Sequence, residues 1–290
     1  GALVRARLGE EALATLVEPV TRGVYATPAD QLPLAGVAPG LLSALRERGS
    51  LLAAVAATRA AGPTVEQPVG GMFRLVAELE RRVRGAGGDV RCGASVETLT
   101  RDASGAVLTT ADGESLRADR VVVATPAAAA TRLLAQVGAD VEAPAVRRAR
   151  FAVLAVEGSE LAAEPVGSGV LVAERTPELR AQALTHYSAK WPWARVGGRE
   201  VLRLSYPADL EPTAEQAIAD ASLLSGVTIS PRQVAAFASV EWTAMPARID
   251  PAARDRLLAA ARQAGVDLVG AWVDGNGIAP VILGVDRVLR

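Results

Sequence analysis

The sequence VDLVGAWVDGNGIAPVILGVDRVLR, residues 266–290, is the stretch that decides the fold. Its apolar run from Val266 to Trp272 predicts a strand, and Gly275 and Gly277 predict a turn after it. Beyond the turn, apolar side chains recur at helical spacing, which predicts a helix with one apolar face; they are Ile278, Ile282, Val285 and Leu289. The order of strand, glycine turn and helix is typical of an α/β sheet.

The glycine turn is a candidate ligand site. Glycine lets the backbone approach a bound group closely, and the first N–H groups of a helix carry a partial positive charge. Pro280 fits the first helical turn, where its missing N–H is not needed. The turn therefore predicts a place for the electron-rich edge of a ligand, although a strand-to-helix connection without any ligand has the same pattern.

Residues 70–118 predict a helix followed by a small antiparallel sheet. Gly70-Gly71 opens a helix whose apolar stripe is Leu75, Leu79 and Val83. Extended runs are predicted at Asp89–Cys92 and Ala94–Arg101. A hairpin then joins Ala106–Thr110 to Ser115–Ala118 across Asp112-Gly113, a dipeptide favoured in tight turns.

The run Asp119–Ala124, DRVVVA, predicts a strand buried on both faces because it is almost purely β-branched. Thr125 is predicted as the N-cap and Pro126 as the first residue of a helix that continues over Ala127–Leu134. Residues 70–134 thus form part of an α/β sheet with an antiparallel insertion.

The flanking regions have different secondary-structure patterns. Residues 1–60 predict a helical region, with helices over Leu3–Val20 and Leu41–Arg59. Ala60–Val69, rich in Gly and Pro, is a plausible boundary. Residues 145–240 predict a mostly antiparallel second sheet with one helix at Pro212–Leu224; the strands are Phe151–Val156, Gly169–Ala173, Gln182–His186, Val201–Tyr206 and Ala235–Trp242. A helix at Pro251–Gln263 leads back to the C-terminal strand.

Composition excludes several classes of protein. The 290 residues are 50% hydrophobic and 22% charged, enough to bury a large core, and the net charge of −1 with few aromatic residues argues against nucleic-acid binding. One cysteine, Cys92, rules out an internal disulfide framework and suits a reducing cytoplasm. We expect Cys92 to be buried. No run approaches the roughly 18 apolar residues of a membrane span, and no charged-then-apolar leader opens the chain.

Side chains for hydrolytic or metal chemistry are sparse. His186 is the only histidine, and Ser188 near it is expected on a strand, where neighbouring side chains point to opposite faces, so a Ser-His pair is not predicted. A structural role for His186 is favoured. Three aspartates near the C terminus show no metal-ligand spacing, so no metal is predicted; they are Asp267, Asp274 and Asp286.

No G-x-G-x-x-G dinucleotide fingerprint occurs in the sequence. Three glycine pairs, at 85 and 87, 167 and 169, and 275 and 277, lack the sixth-position glycine, where Val90, Val172 and Pro280 stand. If a dinucleotide binds, its pyrophosphate site lies outside these residues.

Several motifs in order resemble the FAD-dependent amine oxidase superfamily. They are the Gly70-Gly71-Met72 helix start, the strand Val96-Glu97-Thr98-Leu99 and the run DRVVVATPA at Asp119–Ala127. Further motifs are similar to the protoporphyrinogen and coproporphyrinogen oxidases of haem synthesis; they are RLGEE at Arg7–Glu11, PVTRGVYATPADQL at Pro19–Leu32, KWPW at Lys190–Trp193 and WTAMP at Trp242–Pro246. The KWPW motif resembles the Gram-positive branch, which oxidises coproporphyrinogen III.

This resemblance implies a mixed α/β fold with a discontinuous FAD-binding domain, residues 61–144 and 241–290, around an inserted substrate domain, residues 145–240. The helical region, residues 1–60, would lie on the substrate or membrane side. The implied cofactor is FAD and the implied reactants are a porphyrinogen and O2. The implied FAD contacts are Val96 at the adenine end, Trp242 near the isoalloxazine, and the backbone of Asn276, Gly277 and Ile278 at the pyrimidine edge.

The family's opening strand, its G-x-G-x-x-G turn and its acidic ribose partner are expected before Gly1, so the 290 residues alone are expected to bind FAD poorly and to be inactive. Other readings stay open. The chain could be a carotenoid desaturase or an amine oxidase, or a non-catalytic remnant that binds a porphyrin or a partner. Peripheral membrane contact by residues 1–60 and a homodimer contact through Trp191 and Trp193 are also open.

Overall fold

The computed structural model describes residues 1–25, 28–32, 34, 38, 40–58, 65–143, 146–173, 176–246, 251–275 and 277–290. The chain divides into two compact units. Unit 1 comprises Gly1–Glu78 and Ala149–Glu241, and unit 2 comprises Leu79–Arg148 and Trp242–Arg290. Asn276 and residues 59–64 of the predicted boundary lie outside the described residues.

The α-helices of the described residues are α1 (Ala2–Leu8), α2 (Glu10–Ala12), α3 (Glu18–Tyr25), α4 (Leu41–Arg48), α5 (Leu51–Thr58), α6 (Phe73–Gly85), α7 (Ala127–Ala135), α8 (Ser159–Ala162), α9 (Tyr187–Lys190), α10 (Ala214–Ser225), α11 (Pro251–Gln263), α12 (Ala271–Asp274) and α13 (Ile278–Leu289). A π-helical turn spans Leu13–Val17, and 3₁₀ turns span Ala29–Gln31, Pro192–Ala194 and Pro231–Gln233.

The strands of the described residues are β1 (Val96–Asp102), β2 (Gly105–Thr110), β3 (Ser115–Ala118), β4 (Val121–Val123), β5 (Val146–Glu157), β6 (Gly169–Leu171), β7 (Ala183–His186), β8 (Arg199–Tyr206), β9 (Val234–Pro246) and β10 (Val266–Leu268). They form three sheets, with strand orders β1-β2-β3, β10-β4 and β6-β7-β8-β5-β9. The predicted mixed α/β class is confirmed.

The largest sheet confirms the predicted antiparallel second sheet. β8 pairs antiparallel with both β5 and β7, so that Arg203 lies opposite Val153 on one side and Thr185 on the other. Burial alternates along β8, with Leu202 and Leu204 fully buried. Those leucines pack in one cluster with Ala217 of α10, which leaves Arg203 on the opposite face of the sheet.

Unit 2 contains the predicted meander. β2 pairs antiparallel with β1 and β3, and β4 pairs in parallel with β10. A single apolar core joins these elements: it includes Leu99 of β1, Val121 of β4, Leu258 of α11 and Leu268 of β10.

The C-terminal strand is shorter than predicted. It ends at Leu268, and residues Ala271–Asp274 form the helical turn α12 instead of continuing the strand to Trp272. Gly270 adopts φ 128° immediately before α12, and its N–H donates to the Asp274 carboxylate at 3.0 Å. This side chain-to-backbone bond offers the chain an alternative to the sheet ladder.

Two helix starts also differ from prediction. α6 begins at Phe73, because Gly70 and Gly71 adopt positive φ angles and form a turn ahead of it. Pro126, rather than Thr125, occupies the N-cap of α7. Between these helices, Asp89–Cys92 forms no strand, and Cys92 is exposed rather than buried.

Glycines interrupt the helices predicted near the start of the chain. The Leu3–Val20 helix is broken at Gly9, with φ 90°, and continues through α2 and the π turn. The Leu41–Arg59 helix is divided at Gly49, whose φ of 70° forms a left-handed C-cap of α4. Among the described residues, no helix is both long and apolar enough to cross a membrane.

The strand DRVVVA is less covered than its pattern predicts, and the apolar stripes of two helices are exposed. Val122 in β4 is 46% exposed, so that strand is not buried on both faces. The stripe of α6 and the stripe of α13 face outward; their exposed members are Leu75, Leu79 and Val83, and Ile278, Ile282, Val285 and Leu289. Gly284 and Val288 are the buried residues of α13 instead.

Candidate functional site

The glycine turn between α12 and α13 presents bare backbone. Gly275 and Gly277 have φ angles of 111° and 112°, a region that residues with a Cβ rarely adopt. The nearest atom to a side chain added at Gly277 would be Cδ of Pro280, at 3.7 Å. Apart from the chain neighbours of Gly277, no other described side chain lies within 4 Å of that position.

The start of α13 supplies hydrogen-bond donors at the same place. Gly277 is the N-cap and no side chain caps the helix. The N–H groups of Ile278 and Ala279 have no acceptor within the helix because the helix begins there, and Pro280 has no N–H to leave unsatisfied. The prediction that Pro280 fits the first turn of α13 is confirmed. The glycine turn can therefore bind a negatively polarised group through main-chain N–H groups.

Asp274 holds this turn in place. Its side chain is only 2% exposed and accepts hydrogen bonds from Arg254 Nη2 at 3.1 Å, from Arg287 Nη2 at 3.0 Å and from the Gly270 N–H. Arg254 also donates from Nε to the carbonyl oxygen of Val273 at 2.7 Å. One buried carboxylate therefore joins α11, α12 and α13 at the turn.

The packing around that carboxylate explains Gly284. A Cβ at position 284 would collide with the Asp274 carboxylate, so only glycine allows α13 to lie this close to α12. Arg287 further donates to the carbonyl oxygen of Leu268 at 2.9 Å, which connects the end of β10 to the same cluster. The Asp274 cluster therefore links the end of β10 to Arg287 in the last turn of α13.

Four of the five predicted FAD contacts lie in described parts of unit 2. Val96 is the first residue of β1, half-buried against the core that also contains Trp272 and Val273. Gly277 and Ile278 form the start of α13, where Ile278 is 49% exposed. Trp242 lies in β9 with 57% of its surface exposed. Asn276 lies outside the described residues.

The Asp274 cluster was missed by sequence reasoning. Ligand spacing tests Asp274 only as a metal ligand, and the sequence pattern indicates no role for its partners Arg254 and Arg287. The available signal was the Asp274 carboxylate shortly after the apolar run Val266–Trp272, because a charge beside buried apolar residues is tolerated only when it is paired. Among the described residues, no group of three or more potential ligands is close enough to hold a metal ion.

A second buried cluster surrounds Glu200 in unit 1. His186 Nε2 lies 3.0 Å from Glu200 Oε2, and Ser188 Oγ donates to the same oxygen at 2.5 Å. Arg195 donates from Nε to Glu200 Oε1 at 2.5 Å. The sequence expectation that Ser188 lies on a strand is wrong, because α9 begins at Tyr187 and turns Ser188 toward the carboxylate.

The Glu200 cluster is structural rather than hydrolytic. Ser188, His186 and Glu200 are each 0% exposed, so no substrate can reach the hydroxyl. Burial raises the pKa of the Glu200 carboxyl, but the hydrogen bonds from Arg195, Ser188 and His186 outweigh it, and the pKa lies below its ordinary value. The resulting carboxylate fixes both ends of the segment 186–195.

Comparison with known proteins identifies relatives along the whole chain. The sequence pattern of the family "Flavin containing amine oxidoreductase" matches residues 1–184. A protein named coproporphyrinogen III oxidase from Mycobacterium leprae (strain TN) is 33% identical over 308 residues, which cover 99% of this chain and 65% of that protein. The protein of the same name from Bacillus subtilis (strain 168) is 28% identical over 216 residues, 70% of this chain and 45% of that protein.

Solved structures show the same fold. A protein from Exiguobacterium sp. 255-15, described as a protoporphyrinogen oxidase, superposes with a TM-score of 0.80 at 21% identity, over 100% of this chain and 65% of that one. Reduced UDP-galactopyranose mutase superposes with a TM-score of 0.64 at 14% identity, over 98% of this chain and 66% of that one. The chain thus spans about two thirds of the length of the relatives that it matches most fully.

Proposed function

The chain belongs to the flavin containing amine oxidoreductase family, and from that membership we propose that it serves in the oxidation of coproporphyrinogen III to coproporphyrin III, with FAD as cofactor and O2 as electron acceptor. The resemblance noted from the sequence motifs is confirmed at the level of the family. The observation that carries the proposal is the 33% identity, over 99% of this chain, to a protein named coproporphyrinogen III oxidase. The step belongs to haem biosynthesis.

The glycine turn of unit 2 fits the ring of a flavin. Bare backbone at Gly277 allows a planar edge to approach, and the free N–H groups at the start of α13 favour negative charge there. Bound FAD would supply two-electron oxidation in three successive rounds, with O2 as the final acceptor and hydrogen peroxide as its product. Reduction increases the negative charge of the ring, so fixed donors at this edge favour the reduced state.

In this proposal each predicted residue acts through position rather than acid–base chemistry. Asn276, Gly277 and Ile278 present their backbone to the pyrimidine edge, and Val96 meets the adenine end. Trp242, with 57% of its surface exposed, is available to pack near the ring. Asp274 keeps the turn in its binding conformation, and no dedicated side-chain base is required.

A chimera tests the proposal directly. The 290 residues contain no G-x-G-x-x-G fingerprint, so the part of the M. leprae protein that the alignment leaves uncovered is joined to this chain in place of the matched 65%. We expect the purified chimera to carry stoichiometric flavin and to convert coproporphyrinogen III to fluorescent coproporphyrin III while consuming O2. Protoporphyrinogen IX is assayed in parallel, because it is the other substrate that the family resemblance implies.

The possible results separate the alternatives. A flavin-loaded chimera that oxidises an amine or a carotenoid precursor, and neither porphyrinogen, would contradict the proposed substrate. A folded chimera without flavin, in which the chain binds porphyrin but no O2 is consumed, would support a non-catalytic remnant. Homodimer formation, membrane contact and a cytoplasmic location stay predictions.

A further inference from the structure

A cavity of 330 Å³ opens on the outward face of the unit 1 sheet. Its floor is formed by Thr185 of β7 and Arg203 of β8, and its wall by the segment that follows β7. The residues of that wall are Tyr187, Lys190 and Trp191. The cavity is therefore lined by two cations and by two aromatic rings, all from unit 1.

Arg203 is the unusual member of this lining. Its Cζ lies 5.3 Å from the centre of the Phe151 ring, and its only described hydrogen bond is a long one, 3.4 Å, to the hydroxyl of Thr185. Within the described residues, no carboxylate lies within ion-pair distance of Arg203. The surrounding protein atoms displace water from the guanidinium and lower its pKa, while Tyr187 has a smaller opposite effect.

Neighbouring arginines of unit 1, unlike Arg203, have carboxylate partners. Arg199, four positions earlier on the same face of β8, pairs with Glu157 at 2.9 Å, and Arg150 pairs with Glu241 at 3.1 Å. Arg203 is exposed on the outward face of β8, so an external anion can reach a cation that has lost part of its water and has no described counter-ion. Arg203 is thus held in a state that an external anion would stabilise.

Lys190 supplies a second cation at the same cavity. Its Nζ lies 5.7 Å from the centre of the Trp191 ring, and no described carboxylate forms an ion pair with it. Glu66 also lines the cavity and is the one carboxylate to do so among the described residues. The lining therefore carries two positive charges against one negative charge.

The aromatic wall is held rigidly. Gln67 Nε2 donates to the hydroxyl of Tyr187 at 2.7 Å, and the rings of Tyr187 and Trp193 meet edge to face with centres 5.9 Å apart. The buried Glu200 carboxylate fixes the segment at Ser188 and at Arg195. Binding at a wall already fixed costs little conformational entropy.

We propose that Arg203 and Lys190 bind carboxylate groups of the tetrapyrrole substrate in this cavity, with the edge of the macrocycle against Tyr187 and Trp191. The inference rests on the proposed function, which supplies a substrate that carries carboxylates around a flat ring system. Guanidinium and ammonium groups are the usual partners of carboxylates, and aromatic faces pack on flat rings. A cavity at the lower end of the roughly 300–1,000 Å³ range of ligand sites admits the carboxylate arms and the ring edge.

Binding of coproporphyrin III to the 290-residue chain tests this inference without flavin or O2. We expect R203Q and K190Q each to raise Kd by about tenfold or more, as loss of a charge-assisted hydrogen bond predicts. R203K should recover part of the affinity. E66Q should lower Kd, because it removes the opposing carboxylate. Anisotropy of porphyrin fluorescence is the readout, because it does not depend on the tryptophans near Lys190.

The controls separate charge from folding. R199Q removes an arginine from the same strand and face but outside the cavity, so it should bind like the wild type. The tetramethyl ester of coproporphyrin III should bind wild type and R203Q alike, and circular dichroism should show every variant folded. Wild-type chain that fails to bind the tetracarboxylate, or R203Q and K190Q with unchanged Kd, would overturn the inference.

The two proposals fail in different experiments. A chimera that oxidises coproporphyrinogen III, combined with unchanged Kd in R203Q and K190Q, rejects only the cavity. A chimera loaded with flavin but inactive, combined with Arg203-dependent porphyrin binding, rejects only the oxidation and retains the cavity.

Discussion

Glu200 shows how one buried charge can organise a segment that is otherwise short of regular structure. Its two oxygens accept hydrogen bonds from Ser188, His186 and Arg195, which stand at both ends of the segment carrying the KWPW motif. A carboxylate with 0% exposure is tolerated only when such partners satisfy it. The aromatic wall of the cavity therefore depends on a residue that does not line it.

Glu200 also predicts a pH dependence of stability. Its pKa in the folded chain lies below the ordinary value of 4.5, so its contribution to the free energy of unfolding is present above that value and is lost as the pH falls below it. We expect E200Q to be less stable than wild type by about 2 kcal/mol near neutral pH. The difference should shrink as the pH falls below 4.5, as measured by urea unfolding between about pH 2.5 and pH 7.

Glu211 provides the matched control for E200Q. It is 75% exposed and pairs loosely with Arg150 at 3.7 Å, so E211Q should change the unfolding free energy by less than about 0.5 kcal/mol at any pH. A difference between wild type and E200Q that is constant with pH would contradict the assigned role of the carboxylate.

At the level of elements, local patterns predicted the sheets well and the connections poorly. The hairpin across Asp112-Gly113 and the alternating strands of the second sheet are encoded within a few residues, and both formed as expected. The strand ending at Leu268 was overestimated, because its continuation into α12 depends on Asp274 and its partners Arg254 and Arg287. These groups are distant in sequence, so periodicity carries no signal of their contact.

The apolar stripes show a different limit of sequence reasoning. Helical spacing correctly predicted α6 and α13 and their apolar faces, but it carries no signal of whether another part of the chain covers those faces. In α13 the buried side is instead the one that carries Gly284 and Val288. The Asp274 carboxylate lies directly beside Gly284, so this face of α13 packs against α12 and is buried.

Gly284 tests whether α12 and α13 need this close approach. A glycine-to-alanine change inside a helix usually stabilises it by about 0.5–1 kcal/mol. We expect G284A to destabilise unit 2 by about 2 kcal/mol instead, because the new methyl group overlaps the Asp274 carboxylate. Urea unfolding of the two proteins measures the difference.

Gly85 is the matched glycine for this comparison. It lies at the end of α6, where a Cβ would meet no atom within 4 Å, and its φ is not positive. G85A should therefore be neutral or slightly stabilising. If G284A stabilised the chain as much as G85A or more, the proposed packing of α12 against α13 would be wrong.

For the whole molecule, exposed apolar surface is the feature with the clearest physical consequence. The stripe of α13 has four exposed members on one helical face, with Ile282 at 54% and Leu289 at 70% exposure. α6 has a similar stripe, with Leu79 at 55% exposure. Isolated exposed apolar residues are ordinary, but a continuous stripe leaves enough apolar area to bind apolar dyes or to promote association.

We therefore expect the folded 290-residue chain to increase the fluorescence of the apolar dye anilinonaphthalene sulfonate in native buffer. Changing Ile282 and Leu289 together to lysine should remove a large part of that signal, because both lie on the exposed face of α13, without lowering the unfolding free energy by more than about 1 kcal/mol. V196K is the control, since Val196 is 71% exposed and lies outside both helices. Equal loss of dye fluorescence in the control and in the double variant would show that the dye does not report on α13, and a chain that binds no dye would contradict the exposed stripe itself.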